Sequence, residues 1–197
     1  MGRKTKIILK EQELIEIIPS SPFDFDSTFH KPDHFTSGDN HWEPGIKWQT
    51  WLWENNSIGL KIFNKGTREK PKLNIEIYSN KKLSKDFINS LIEEIKYRYN
   101  LNLDLSNFYH AFAKDKTLGP IIKKWRGMRP GHPSSLYEYL LIGIVLQNAT
   151  VKRSVQMFRA LLENYGTLLK FDGKELRCFF KPGSLQTVSE EDRKSVV

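Results

Sequence analysis

The chain is 197 residues long, which allows one large domain or two small ones with an adequate core. Its 39% hydrophobic and 27% charged residues are typical of a soluble globular protein, no apolar run is long enough to span a membrane, and one cysteine excludes an internal disulfide. The N-terminus lacks the apolar segment of a signal peptide, so we expect an intracellular protein, cytoplasmic or associated with the nucleoid.

The formal net charge of +8 is concentrated in the second half of the chain. Residues 103–197 hold 15 Lys and Arg against 9 Asp and Glu, whereas residues 1–102 hold 16 against 14. A basic excess in one half is expected of a protein that faces a polyanion. A solvated surface would give the same pattern, and charge alone leaves both interpretations open.

Residues 1–102 predict a small α+β unit. Period-two alternation predicts strands at residues 23–26 and 73–77, and residues 55–56 are typical of a hairpin turn between two apolar strands. Behind Ser84, a predicted N-cap, apolar residues recur at helical spacing up to Tyr99. We therefore expect an antiparallel sheet with one packed helix.

Residues 103–197 predict helices. Ser106 is a predicted cap of one short helix, and Pro120 is placed in the first turn of a second helix that ends at Gly127. Residues 134–146 are apolar almost all the way round, which predicts a buried helix.

The polar corner, residues 147–150, separates that apolar helix from another that ends at Tyr165. Thr150 is its predicted N-cap and Gly166 its predicted C′ residue. The amides of Gln147 and Asn148 should therefore be held rigidly beside the unpaired N–H groups of a helix start, with Lys152 and Arg153 following at once. Such a corner can contact a phosphate and insert a polar side chain into a partner. The alternative, that both amides only cap the two helices, stays open.

Four other features have a functional and a structural interpretation. The single cysteine, Cys178, is predicted to be a packed thiol rather than a nucleophile. Clustered tryptophans indicate core packing more than base stacking: Trp42, Trp48, Trp51 and Trp53. The loop histidines are not expected to bind a metal, because Pro32 prevents the helical spacing that a ligand pair would need and no cysteine joins them. They are His30, His34 and His41, with Asp33 and Asp39. A basic run could follow a phosphate backbone or cover a solvated face: Lys114, Lys116, Lys123, Lys124, Arg126 and Arg129.

Residues 144–153, Ile-Val-Leu-Gln-Asn-Ala-Thr-Val-Lys-Arg, and the Tyr165–Gly166 pair resemble the helix-hairpin-helix superfamily of base-excision DNA glycosylases, closest to its 3-methyladenine branch. Residues 104–129 resemble the family's lead-in to its helical domain. Residues 23–28, 42–45 and 48–50 resemble its N-terminal α+β domain. The resemblance covers nearly the whole chain. It implies an α+β fold: residues 1–102 form the N-terminal domain, and residues 103–197 form the first part of an incomplete all-helical glycosylase domain.

The resemblance implies a role in base-excision repair, the removal of alkylated or otherwise damaged bases by base flipping. The expected partner is double-stranded DNA with damaged bases, bound by a monomer without a cofactor. Asn148, with Gln147, matches the residue that fills the space left by a flipped base. Thr150, Lys152 and Arg153 lie in the helix start beside this wedge and complete the predicted DNA-binding set.

One departure from the family decides the expected activity. The family's Leu-Pro-Gly-[Ile/Val]-Gly hairpin and the aspartate beyond it have no match in residues 167–197. Cleavage at the glycosidic carbon needs a carboxylate, and Asp172, Glu175 and Asp192 do not sit in a matching context, so no catalytic residue is assigned. We expect the chain to be an N-terminal portion that is inactive alone. A non-catalytic nucleic-acid-binding protein, or a structural fragment without activity, is the alternative.

Overall fold

The computed structural model describes residues 6–30, 38–132 and 134–186, and these form eight strands and six helices. The strands are β1 (Lys6–Ile8), β2 (Glu11–Ile17), β3 (Asn40–Glu43), β4 (Ile46–Trp53), β5 (Asn56–Asn64), β6 (Leu73–Ser79), β7 (Thr167–Phe171) and β8 (Lys174–Cys178). The helices are α1 (Phe25–Phe29), α2 (Lys85–Arg98), α3 (Ser106–Phe112), α4 (Leu118–Lys124), α5 (Leu136–Leu146) and α6 (Val151–Tyr165), followed by a 3-10 turn at Pro182–Leu185. None of these helices has the length and apolar character needed to cross a membrane.

A five-stranded antiparallel sheet in the order β2-β6-β5-β4-β3 organises the first half of the chain. Helices α1 and α2 contribute to one apolar core with it, in which Ile75, Leu91 and Ile95 are fully buried. Ser84 caps α2 by accepting a hydrogen bond from the Phe87 N–H at 3.2 Å, as predicted. The strand predicted at residues 73–77 is confirmed.

Two local predictions in this half are wrong. Residues 23–26 do not form a strand, because the Asp24 carboxylate accepts a hydrogen bond from the Ser27 N–H at 2.9 Å and so starts helix α1. The β4–β5 turn lies one residue earlier than predicted: Glu54 and Asn55 have φ of +44° and +63°. Positive φ at both turn residues is the hairpin geometry that matches strand twist.

The chain returns to the first half after α6. Strands β7 and β8 form a hairpin, and β7 pairs in parallel with β1 to make a second, three-stranded sheet. This sheet shares an apolar cluster with β4 and β6, in which Trp48, Tyr78 and Phe171 are buried. The expectation that residues 103–197 are all helical is therefore corrected at residues 167–178. The Asp172–Gly173 turn with positive φ closes the hairpin.

Helices α5 and α6 form a third cluster with the segment that follows β8. Val145, Phe158, Leu162, Phe179 and Phe180 are its buried members. Upstream, α3 begins at Ser106 and lacks a side-chain hydrogen bond from its N-cap, whereas the Asp104 carboxylate accepts from the Ser106 N–H at 2.8 Å. The predicted cap at Ser106 is therefore replaced by one at Asp104.

Candidate nucleic-acid interface

The polar corner is a tight turn that fixes α5 against α6. Helix α5 ends at Leu146, Gln147 is its C-cap, and Asn148 adopts φ +52° in the left-handed region. Thr150 caps α6 by accepting from the Arg153 N–H at 3.3 Å, as predicted. The buried Ser154 hydroxyl donates to the Val145 carbonyl at 2.7 Å and ties the first turn of α6 to the end of α5.

The predicted DNA-binding residues are exposed together at this corner. Gln147, Asn148, Thr150, Lys152 and Arg153 all lie within the turn and the first turn of α6, and each is exposed. A non-glycine residue at positive φ is uncommon, and asparagine adopts this conformation more readily than most residues. The first N–H groups of the 15-residue α6 point out of the same corner with the positive end of the helix dipole. The arrangement can bind an anion and present an amide beside it.

The basic run before α5 is only partly available to a phosphate. Lys114, Lys116, Lys123 and Lys124 are exposed on and around α3 and α4. Arg129 is 2% exposed and donates to the Ser20 carbonyl at 2.7 Å, so its role is structural, and Arg126 forms an ion pair with Glu69. A backbone-binding face here would consist of the four lysines.

The prediction that helix α5 is buried is wrong for one of its faces. Leu136, Leu140 and Ile144 follow one another at i, i+4 and i+8, and they are 76%, 59% and 62% exposed. The opposite face packs into the third cluster through Tyr137, Leu141, Ile142 and Val145. Among the described residues, helix α5 is therefore only partly covered, and Leu136, Leu140 and Ile144 form an exposed apolar stripe.

A cavity of about 580 Å³ lies between the sheet and the two helices beside the polar corner. Strands β3 and β4 form one side, and α5 and α6 form the other, with Leu146 and Ser154 lining it on either side of the corner. Its volume is within the range of small-molecule sites in proteins. Aromatic rings contribute to the wall: Phe29, Trp51, Tyr99, Tyr139 and Phe158. We refer to it as the sheet–helix cavity.

Buried polar side chains line the sheet side of this cavity. The Tyr99 hydroxyl donates to Gln49 Oε1 at 2.6 Å, and the Gln49 Nε2 is buried without a hydrogen-bond partner. Lys47 Nζ donates to Asn40 Oδ1 at 2.6 Å, and Asn40 Nδ2 in turn donates to Asp39 Oδ1 at 2.9 Å. The sheet side is thus a paired polar network that contains one orphaned amide donor.

Glu138 forms the polar part of the helix side. It completes a capping box at the start of α5, in which Ser135 N–H donates to Glu138 Oε2 at 2.6 Å and Glu138 N–H donates to Ser135 Oγ. Burial raises the pKa of the Glu138 carboxyl, while the Ser135 N–H and the Arg98 guanidinium oppose that rise. The Glu138 carboxyl is therefore harder to ionise than a carboxyl in water.

The other predicted candidates have structural roles. Trp48 and Trp51 are buried, and Trp42 and Trp53 pack against the core, which confirms the packing interpretation. Cys178 is buried, and burial raises the pKa of its thiol to about 12, as expected of a packed cysteine. His41 Nε2 lies 2.9 Å from Glu43, and the described residues contain no group of three metal-binding side chains. Asp33 and His34 lie outside the described residues.

The polar residues of the sheet–helix cavity have only a weak signal in the sequence. Lys47 and Gln49 stand two residues apart on β4, so both point to the face that also carries Trp51. That signal is the pair of polar residues, Lys47 and Gln49, on either side of Trp48 in a strand rich in tryptophan. Tyr99 and Glu138 carried no signal, since one ends the apolar stripe of α2 and the other matches an ordinary helix cap.

Comparisons with known proteins agree on the fold. No protein-family model and no curated protein matches the chain. Among solved structures, the 3-methyladenine DNA glycosylase from Archaeoglobus fulgidus matches with TM-score 0.73 at 11% identity, covering 92% of this chain and 61% of that one. The apo 8-oxoguanine glycosylase/lyase of Clostridium acetobutylicum matches with TM-score 0.60 at 15% identity, covering 96% and 61%. MBOgg1 in complex with a low affinity DNA ligand matches with TM-score 0.59 at 20% identity, covering 95% and 60%.

These matches confirm the predicted resemblance at the level of the fold. The chain has the fold of base-excision DNA glycosylases and spans about 60% of the length of each of these structures. Its α+β character is likewise confirmed, with the strands of residues 167–178 as the correction described above.

Proposed function

We propose that this chain recognises duplex DNA and holds a damaged base out of the helix, as part of a DNA glycosylase of base-excision repair. The observation that carries the proposal is Asn148, an exposed amide at positive φ beside a cavity of about 580 Å³. A residue whose backbone is held in a sparsely populated conformation at an exposed turn is a candidate for function. The similar structures support the same assignment, since two of those reported above are glycosylases and MBOgg1 is in complex with a DNA ligand.

In this proposal the N-terminus of α6 holds the DNA backbone. Its unpaired N–H groups and the exposed Lys152 and Arg153 are suited to one or two phosphates. Extruding a nucleotide costs a few kcal/mol of stacking and pairing, and Asn148, with Gln147 beside it, replaces part of the lost contacts from within the duplex. The extruded base enters the sheet–helix cavity, whose wall includes residues on both sides of the polar corner.

We further propose that the 197-residue chain does not excise the base by itself. Among the described residues, two carboxyl groups line the cavity, and both serve the fold: Glu138 caps α5, and Asp39 accepts from the Asn40 amide. We assign to neither group the role of the carboxylate that stabilises an oxocarbenium-like transition state. An assay on duplexes containing 3-methyladenine, hypoxanthine or 8-oxoguanine tests this. Strand cleavage after alkali treatment, above the no-enzyme level for any lesion, would contradict it.

DNA binding itself is tested by its salt dependence. Because each neutralised phosphate releases counterions, the slope of log Kd against log salt concentration should fall by about 1 in Lys152→Ala and again in Arg153→Ala. Lys82→Ala, at an exposed lysine between β6 and α2, is the matched control and should keep the wild-type slope. Fluorescence anisotropy on a labelled duplex measures both. A slope that is unchanged in the two α6 variants would place the DNA elsewhere.

A further inference from the structure

We propose that Gln49 reads the edge of the extruded base, and that the sheet–helix cavity takes bases with an exocyclic carbonyl oxygen on that edge. The inference rests on the proposed function, because a base of duplex DNA reaches the cavity only after extrusion. It goes further by assigning a specificity-determining residue and a substrate class.

The Gln49 amide is held in one orientation. Its Oε1 accepts a hydrogen bond from the Tyr99 hydroxyl at 2.6 Å, and Tyr99 is itself buried. Gln49 is 4% exposed, lines the cavity, and its Nε2 has no hydrogen-bond partner. A buried donor left unpaired destabilises a folded protein, so its retention at a cavity wall points to a ligand that pairs with it.

The neighbouring polar atoms are already paired with one another. Lys47 Nζ, the Asn40 amide and Asp39 Oδ1 form a hydrogen-bonded chain on the same wall. The Glu138 carboxyl accepts from the Ser135 N–H. Among the described residues that line the cavity, Gln49 Nε2 is the buried side-chain polar atom without a partner. The ligand atom that meets it must therefore be an acceptor.

The rest of the wall suits a flat heterocycle. Phe29 and Tyr139 offer aromatic surface, and a flipped base is held by such surfaces while its edge is read by hydrogen bonds. A carbonyl oxygen facing Gln49 Nε2 completes a hydrogen bond. An amino group in that place sets two donors against each other and leaves both unpaired. Sites built to hydrogen-bond one group discriminate against analogues without it.

Free nucleosides test the inference without DNA. Inosine carries a carbonyl oxygen at C6, where adenosine carries an amino group, and N1 is a donor in inosine and an acceptor in adenosine. The rest of the ring and the sugar are the same, and the Gln49→Met variant assigns the difference to the edge that Gln49 meets. Saturation-transfer NMR titrations of the 197-residue chain should show inosine binding about tenfold more tightly than adenosine, the ratio that one hydrogen bond supplies.

Gln49→Met removes the donor at nearly constant volume and should abolish that ratio. Gln156→Met, at an exposed glutamine of α6, is the matched control and should keep it. Tyr99→Phe is the second variant, available even if Gln49→Met does not fold. It releases Gln49 Oε1 and should also lower the ratio, because the amide can then rotate.

Equal affinity for the two nucleosides in the wild type would overturn the inference. A ratio that survives in Gln49→Met, or in Tyr99→Phe if Gln49→Met does not fold, would overturn it as well. Absence of saturable nucleoside binding by a chain that still binds duplex DNA would overturn the inference and leave the proposed function standing. A carbonyl preference in a chain that does not bind duplex DNA would support the cavity assignment and contradict the proposed function.

Discussion

The Glu138 carboxyl group lies in the wall of the sheet–helix cavity and also caps helix α5. Burial raises its pKa above the ordinary value of 4.5, against the opposing effects of the Ser135 N–H and Arg98. A raised pKa means that the folded state binds the proton more tightly than the unfolded state does. The resulting contribution to stability is complete below pH 4.5 and is lost as the pH rises through the raised pKa.

Glu138→Gln should remove this pH dependence. Glutamine keeps an acceptor for the Ser135 N–H and completes a capping box without ionising. We expect the free energy of unfolding of the wild type to fall relative to that of the variant as the pH rises above 4.5, so that the variant is the more stable protein at neutral pH. Urea unfolding between about pH 4 and 8 measures the difference.

Glu163→Gln, at an exposed glutamate of α6, is the control for the change of net charge. Its stability difference from the wild type should stay within about 0.5 kcal/mol throughout. A Glu138→Gln difference that did not vary with pH would show that the pKa of Glu138 is the same in the folded and unfolded states, so that burial does not raise it.

The exposed turn at Asn148 could be predicted from the sequence, whereas the cavity residues could not. Asn148 sits in a short polar break between two helical patterns, and such breaks are read from neighbouring residues alone. Gln49 acquires its role from Tyr99, 50 residues away, and from helices that follow much later in the chain. Strand periodicity assigns it a face and cannot say what the face meets.

Two glycines at the helices of the polar corner have opposite roles. Gly166 is the C-cap of α6 and not the predicted C′ residue, and its ordinary φ of −77° means that its backbone does not demand glycine. A Cβ there would lie 2.5 Å from the Leu162 carbonyl oxygen and 2.7 Å from the Cys178 carbonyl oxygen. Gly143 lies inside α5, and a Cβ there would meet nothing within 4 Å.

The two glycines make a matched pair of variants. Gly166→Ala should destabilise the protein by about 1–3 kcal/mol, because two backbone carbonyls must move to admit the methyl group. Gly143→Ala should stabilise it by about 0.5–1 kcal/mol, since alanine loses less conformational freedom in a helix. Thermal and urea unfolding compare the two. Equal effects in both variants would mean that α6 and β8 do not approach as closely as the structure has them.

The sequence predicts a helix or a strand correctly where the contacts that stabilise it join residues close together in the chain. The caps of α2 and α6 lie within three residues of the groups they satisfy, and both were predicted. The β7–β8 hairpin depends on β1, whose residues 6–8 pair with residues 168–170 across the whole chain. The exposure of one face of α5 could not be predicted for a similar reason. An apolar pattern predicts burial, but it does not show whether another element covers that face.

At the scale of the whole molecule, the hairpin joins the last described strands to the first. Asp172 accepts from the Trp48 indole N–H at 2.7 Å and lies 3.0 Å from Lys61 Nζ, and Phe171 packs where Gly59 leaves no side chain. The division into residues 1–102 and 103–197 stays a prediction, and these contacts make the two parts interdependent. We therefore expect a single cooperative unfolding transition.

Leu169→Ala should test that interdependence. Leu169 is fully buried between the two sheets, and its truncation should cost about 2–5 kcal/mol. Tryptophan fluorescence, which reports mainly the first sheet, and far-UV circular dichroism, which reports the helices, should shift together to lower urea concentration. Leu14→Ala, at a 60% exposed leucine of β2, is the control and should change little. Two separate transitions would contradict the single cooperative unit.

The central claim is that the polar corner opens a duplex with Asn148. A duplex that carries 2-aminopurine measures this directly, because the fluorescence of that base rises when it leaves the stack. Asn148→Gly is the decisive variant, since glycine keeps the left-handed turn and removes only the side chain. Asn164→Ala, at an exposed asparagine near the end of α6, is its control.

We predict that saturating wild-type chain and Asn164→Ala raise the 2-aminopurine fluorescence of the bound duplex. Asn148→Gly should bind the same duplex, by anisotropy, with a much smaller rise. An equal rise with Asn148→Gly, or a duplex that is bound by the wild type without any rise, would contradict the account.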